Sequence, residues 1–399
     1  MPKEYDLHGP DILENPYPLY HKLRSTYPVH LDSRLGCWVV TSYSDVVSAL
    51  ANKDLSSERA VQGALLQEEG WAALSPLSTH ISNLMFFSDP PKHTRLRSPI
   101  NKAFAAHFIG KWRGYIQKNV DGLLDLVQDK GSMDVIKDLA LPLPSRVIST
   151  LLGIPDRDHL QVKLWADDLI DYLGNPYSLD QCRRVWKSMQ EFMQYFRGIV
   201  AEHRGQAKGD LVDMFLHNRD EETSLTEDEL LMNCVGLFTG GQETTVNVIG
   251  NATIALLRNP TQMQKLQKNP DLIVSAVEEF LRYDSPIQFT ARMVKKTTEI
   301  RGVKIYKGQN VMLMLGAANR DPAYFPDPDT LDICRQNNRH IAFGHNIHYC
   351  IGASVARLEI QIAIATLLRR MPRLRLASDA LEWQENLSFH GVKALPVTF

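Results

Sequence analysis

Residues 343–352 read FGHNIHYCIG, and residues 353–370 continue as ASVARLEIQIAIATLLRR. Gly344, Asn346 and Gly352 crowd around a single Cys350, and a helical pattern begins directly after it. Glycine and asparagine are the residues that tolerate positive φ, so this loop is built to fold tightly around the sulfur. A thiolate placed there faces the unpaired N–H groups and the positive dipole end of the following helix, which lowers its pKa. A rigid, close-approaching loop of this kind suits a flat cofactor whose metal must reach the sulfur. The same residues also fit a buried structural cysteine. A zinc site from His345, His348 and Cys350 is a weaker third reading, since all three lie close together in sequence and no second ligand cluster follows.

Outward from that loop, the chain of 399 residues carries 44 Lys plus Arg against 46 Asp plus Glu, a net charge of −2. Such a balance supplies no global field to hold nucleic acid or an anionic membrane. The opening MPKEYDLHGPDILENPYPLY is polar, with no apolar h-region, and no stretch is long and apolar enough to span a bilayer. The five cysteines, at 37, 182, 234, 334 and 350, form no CxxC pair, which fits a reducing, cytoplasmic setting. With no repeat and no Gly/Ser-rich linker, residues 1–399 read as one domain, mainly α with small β-sheets. Strand formers appear at Cys37 to Thr41 and again from about 286 to 315, with turn signals at Arg301-Gly302 and Lys307-Gly308.

Three helices carry the remaining chemistry. One follows Asp89-Pro90-Pro91 and bears His93 and Arg97 at i, i+4. A second opens on the capping-box pattern Thr226-Glu227-Asp228-Glu229 and runs to Asn259-Pro260, about 50 Å at 1.5 Å per residue. In its middle stand Gly240-Gly241-Gln242-Glu243-Thr244-Thr245, where each glycine costs about 1 kcal/mol relative to alanine. This local weakness predicts a kink beside which a small molecule can sit; a close helix crossing would demand small residues equally well. The third helix, after Asn269-Pro270, places Glu279 and Arg282 three apart on one face, a spacing that by itself describes a solvated pair.

Taken together and in this order, these segments resemble the cytochrome P450 family of haem-thiolate monooxygenases over nearly the whole chain. The cysteine loop matches Phe-Gly-x-Gly-x-His-x-Cys-x-Gly, the long helix Ala/Gly-Gly-x-Glu/Asp-Thr-Thr, and the third helix Glu-x-x-Arg. Asn346 stands for the loop's second glycine and Gly240 where alanine is commoner. The resemblance implies a cytochrome P450 fold with haem b between the long helix and the helix after the cysteine loop. It makes Cys350 the axial ligand of the iron and packs Phe343, Gly344, Gly352 and Gly241 around the haem. It assigns His93, Arg97, Arg292 and His348 to the propionates, and Glu279, Arg282 and Arg335 to a network behind the loop. Thr244 with Glu243 would serve oxygen activation and proton supply. The reaction implied is insertion of one atom of O2 into a C–H bond of a mostly apolar substrate.

Stretches such as AVEEFLRYDSPIQFTAR and LGAANRDP are similar to the soluble bacterial branch of fatty-acyl (biotin-synthesis) and macrolide or polyketide hydroxylases. Candidate substrate contacts are Phe86, Phe87, Leu237, Phe238, Ile287, Phe289, Leu387 and Phe389, for which ordinary core packing is the competing account. No dinucleotide fingerprint and no four-cysteine pattern is present, so the two electrons, ultimately from NAD(P)H, must come from a separate ferredoxin or flavodoxin with its reductase. Lys111, Arg113, Arg339 and Arg357 are its expected docking contacts, and the chain is expected to act as a monomer. The substrate is either free or tethered to an acyl carrier protein. A peroxide-driven peroxygenase and a non-catalytic haem sensor or carrier are the rival functions.

Overall fold

The structure is a computed structural model, and it describes residues 10–58, 74–104, 112–174, 178–206, 208–217 and 221–399. These divide into two bodies. The first comprises Met1–Leu55, Trp112–Leu143 and Thr244–Phe399; the second comprises Ser56–Lys111 and Pro144–Glu243. Helices dominate both, as the periodicity predicts, and the strands gather in small sheets.

In the first body, the β-rich stretch near the front forms the strand Cys37–Val40. It pairs antiparallel with Val29–Asp32 and parallel with Asn310–Leu313, in the register Cys37↔Asn310 to Val40↔Leu313. Thr290–Val294 pairs antiparallel on the far side of Asn310–Leu313. The predicted hairpin is Thr298–Ile300 with Val303–Ile305, turning through positive φ at Arg301 (49°) and Gly302 (76°). Val40, Val46, Leu50, Val294, Val311 and Leu313 bury one face of this sheet in a core that also takes in Ile341. Ile341 is held there by its N–H, which donates to Asn319 Oδ1 at 2.8 Å. The sheet core thereby fixes the chain two residues before the cysteine loop. Beyond the loop, the helix Ala353–Arg370 lies along Trp112–Asp125: Gln117 Nε2 donates to Thr366 Oγ1 (3.1 Å), and Arg370 donates to the Asp121 carbonyl and to Asp125.

In the second body, His159–Gly174 and Leu179–Gly205 pack together through Trp165 and Phe192, whose ring centroids are 5.4 Å apart. Phe196 stacks on Phe192 at 5.2 Å and Phe238 meets it edge-on at 5.6 Å, contacts of about 1 kcal/mol each beyond their buried area. The capping box forms as expected: Thr226 N–H donates to Glu229 Oε2 (3.0 Å), and Glu229 N–H donates to Thr226 Oγ1 (3.3 Å). From it the long helix runs as Glu227–Arg258, 32 residues, and Gly240-Gly241 do not interrupt it. Among the described residues no helix is long and apolar enough to cross a membrane.

Candidate active site

The cysteine loop is shaped by two left-handed residues. Gly344 has φ 72° and Asn346 φ 58°, so asparagine keeps the turn that a second glycine would have made. The Cys350 N–H donates to the Phe343 carbonyl at 2.8 Å, which closes the loop on itself. Gly352 caps the helix Ala353–Arg370, and its carbonyl accepts from the Ala356 N–H. A Cβ on Gly352 would stand 4.0 Å from Cys350 Sγ, and one on Gly344 would stand 3.4 Å from the His348 carbonyl oxygen. Cys350 is the one exposed cysteine of the five. Burial pushes the Cys37 thiol up to about 12 and raises Cys234 as well, so neither is a thiolate near neutral pH. His345 and His348 do not join Cys350 in a metal-binding group. Among the described residues the one such group is His203, Asp210 and Asp213, where His203 Nε2 lies 2.6 Å from Asp210 Oδ2 in a buried hydrogen-bonded pair.

Behind the loop, the Glu279–Arg282 pair is fully buried, not solvated. Arg282 donates twice to the Glu279 carboxylate at 2.7 Å, and to the carbonyls of Asn319 and Pro328. Arg335 also donates to Glu279 at 3.1 Å and to the Pro326 carbonyl at 2.7 Å. The Asp332 N–H and Asn338 Nδ2 complete the carboxylate's partners. Every lone pair of a buried charge is thus served, which is the condition under which such a pair survives without water.

Two further groups went unassigned in the sequence. Glu278 accepts a two-pronged contact from Arg357 (2.7 and 2.8 Å) and one from His340 (3.1 Å). Burial alone would raise the Glu278 carboxyl, but His340 and Arg357 outweigh it and hold it down to about 2. The Arg357 guanidinium in turn lies 4.5 Å from the centre of the Phe343 ring, fixing the aromatic wall of the loop. Arg357 is thus paired within this cluster while its side chain stays partly exposed. Arg113 and Arg339 are exposed, and Lys111 lies outside the described residues. The signal that could have found Glu278 is the doubled glutamate, 278–279.

Arg292, on the strand Thr290–Val294, is buried and donates to Thr290 Oγ1 and the Ala291 carbonyl. Ile287 and Phe389 face each other across an isolated bridge, and Phe289 and Leu387 line a small, partly open pocket with Tyr20, Leu35 and Met312.

In the second body, the helix Lys92–Ala103 carries a buried His93 and a half-buried Arg97. Burial, helped by Arg97 and opposed by Asp89, pushes the His93 imidazole down to about 4. Near neutral pH His93 is thus an uncharged hydrogen-bonding group, and Arg97 is the cation of the pair. Glu243 is buried, Thr244 half-buried, and Gly240 exposed although residues 231–239 before it are all buried. A Cβ on Gly241 would come 3.2 Å from Ile148, so this glycine also serves close packing. Phe86 and Phe87 are half-exposed, whereas Leu237 and Phe238 belong to the packed interior.

The family model described as "Cytochrome P450" matches residues 55–372. The biotin biosynthesis cytochrome P450 of Bacillus subtilis is 40% identical over 392 residues, covering 98% of this chain and 97% of that protein. The polyketide biosynthesis cytochrome P450 PksS of the same organism is 35% identical over 402 residues, covering 98% and 97%. Among solved structures, P450BioI in complex with hexadec-9Z-enoic acid ligated acyl carrier protein superposes with a TM-score of 0.91 at 39% identity, covering 98% of this chain and 99% of that one.

Proposed function

The chain belongs to the cytochrome P450 family, and from that premise we propose that it hydroxylates a fatty-acyl or polyketide-type substrate, drawing two electrons from a separate ferredoxin or flavodoxin. One observation carries the reading: the single exposed cysteine sits at the N-terminus of an 18-residue helix, in a loop turned by Gly344 and Asn346. The donor set fits a haem. One sulfur is presented with a glycine at its flank, and among the described residues Cys350 belongs to no cluster of three or more metal-ligating side chains. Haem held by Cys350 would supply the oxygen chemistry, with the thiolate favouring O–O cleavage.

The chain's own residues do the rest. Phe343, whose ring lies against the Arg357 guanidinium, would pack against the sulfur side of the haem. Arg97 and Arg292 would neutralise the two propionates, with His93 and His348 adding hydrogen bonds. The Glu243 carboxyl and the Thr244 hydroxyl, adjacent on the long helix, would hold and pass protons. Phe86, Phe87, Phe289 and Leu387 would present apolar surface to the substrate. The uninterrupted long helix and the span of the family match support one functional domain over residues 1–399. The likeness to a relative solved with an acylated carrier protein supports a carrier-tethered acyl chain as the substrate form.

The test is a titration of purified protein with free fatty acids, acylated carrier protein and macrolactones, following the haem spin-state change. A shift with acyl carrier at lower concentration than with free acid supports the reading. A shift only with macrolactones transfers the assignment to polyketides. Turnover with peroxide that survives Thr244→Ala, with none from a reductase system, would make the protein a peroxygenase.

A further inference from the structure

One guanidinium touches both ends of the cysteine loop. Arg357, on the helix Ala353–Arg370, lies 4.5 Å from the centre of the Phe343 ring and donates from Nη1 to the Tyr349 hydroxyl oxygen at 3.1 Å. Phe343 is the residue whose carbonyl accepts from the Cys350 N–H, and Tyr349 directly precedes the cysteine. On its other side Arg357 is paired through Nε and Nη2 with Glu278, on the helix Ile273–Tyr283, at 2.7 and 2.8 Å. The pair is neutral as a whole but lopsided: the cation is the member that touches Phe343 and Tyr349. We propose that Glu278 and Arg357 are a charge pair that sets the reduction potential of a haem held by Cys350, the cation raising it and the carboxylate lowering it. This rests on the haem-thiolate reading above and adds to it two residues outside the cysteine-loop motif.

The geometry fixes both charges. His340 Nδ1 accepts the Ala342 N–H at 3.2 Å, so the imidazole proton sits on Nε2, which donates to Glu278 Oε2 at 3.1 Å. The His340 side chain is buried, and its anchor, Ala342, directly precedes Phe343. Glu278 is thereby gripped by Arg357 and His340, and Arg357 by Glu278, the Tyr349 hydroxyl and the Phe343 ring. Charges held this way do not have to reorganise when the charge beside them changes. When the haem iron takes up one electron from a donor, no bond forms or breaks and the site becomes more negative by one charge. A fixed cation nearby favours that state and a fixed carboxylate opposes it. About a quarter of each side chain is exposed, 27% for Arg357 and 26% for Glu278, so water weakens both fields without abolishing them.

The test is a spectroelectrochemical titration of the haem-loaded protein and its variants. Glu278→Gln leaves the Arg357 charge uncompensated and is expected to shift the ferric–ferrous equilibrium about tenfold toward ferrous, a rise of about 59 mV for one electron. Arg357→Gln is expected to shift it at least as far the other way, and the double variant to return to within about twofold of the unaltered protein. The opposite signs separate charge from mere loosening, because a loop slackened by either substitution would move the potential the same way in both. Shifts of one sign, no shift in either variant, or a double variant that does not return overturn the proposal. Should Arg357→Gln retain no haem, Arg357→Lys takes its place; it keeps the charge and loses the two-pronged contact, and is expected to stay within about twofold of the unaltered protein. A shift in that variant as large as in Glu278→Gln overturns the proposal as well. An unaltered protein without a haem couple would overturn the haem reading and this inference with it, whereas a haem couple that the variants leave unmoved overturns this inference alone.

Discussion

Asn346 adopts φ 58° in a loop where the family places glycine. Asparagine pays little in the left-handed region and alanine about 1 kcal/mol or more. Asn346→Gly is expected to leave urea stability and haem retention unchanged, and Asn346→Ala to lower stability by about that amount. Glu278 gives a pH prediction at the same scale. Its carboxyl lies near 2 in the folded chain, below the usual value of about 4.3, so the unfolded state takes up the proton first. The stabilisation is complete above the unfolded value and is lost as pH falls through the folded one, on the order of 3 kcal/mol between about pH 5 and pH 2. Acid unfolding followed by circular dichroism should therefore begin at higher pH in Arg357→Ala, which removes its closest partner. Residues such as these separate what the sequence reveals from what it hides. Asn346 was legible because φ preference is local. The Glu278 cluster was not, because its partners lie 62 and 79 positions away.

At the scale of elements, the helix Ile273–Tyr283 shows how a weak local signal acquires meaning. Glu279 and Arg282 read as a surface pair by spacing alone, yet both are fully buried, and their outer partners come from residues 319–338. Arg282→Ala would leave the Glu279 charge short of its main partner and the carbonyls of Asn319 and Pro328 without this donor. The expected loss is about 3–5 kcal/mol by urea unfolding, against less than 1 kcal/mol if the pair were a surface one. The strand Cys37–Val40 was visible from its β-forming residues, but its parallel pairing to Asn310–Leu313 was not, since the two segments are some 270 residues apart. The long helix was legible from end to end, because a capping box and an apolar run are local features. The kink predicted at Gly240-Gly241 does not break the helix: backbone hydrogen bonding tolerates glycine, and the pair instead makes room for Ile148 and Phe86.

For the molecule as a whole, a net charge of −2 gives a redox partner little to read at long range, so docking must depend on local cations. Arg113 and Arg339 are exposed, and Arg357, half-buried, is paired with Glu278. Turnover with a ferredoxin or flavodoxin is expected to fall as ionic strength rises, and Arg113→Glu to reproduce that fall at low salt. Turnover indifferent to both would remove this surface from the account. The fold class was readable because motif order along the chain follows element order. The substrate was not, since the quoted segments hold only Ile287 and Phe289 of candidate apolar contacts spread from Phe86 to Phe389.

The central claim is that the Cys350 sulfur binds haem iron, and its most direct measurement is the ferrous–carbonyl absorption spectrum of Cys350→Ser beside that of the unaltered protein. The account predicts a thiolate-type band in the unaltered protein and its loss in the variant. A variant that keeps the band, or an unaltered protein that never shows it, would contradict the assignment.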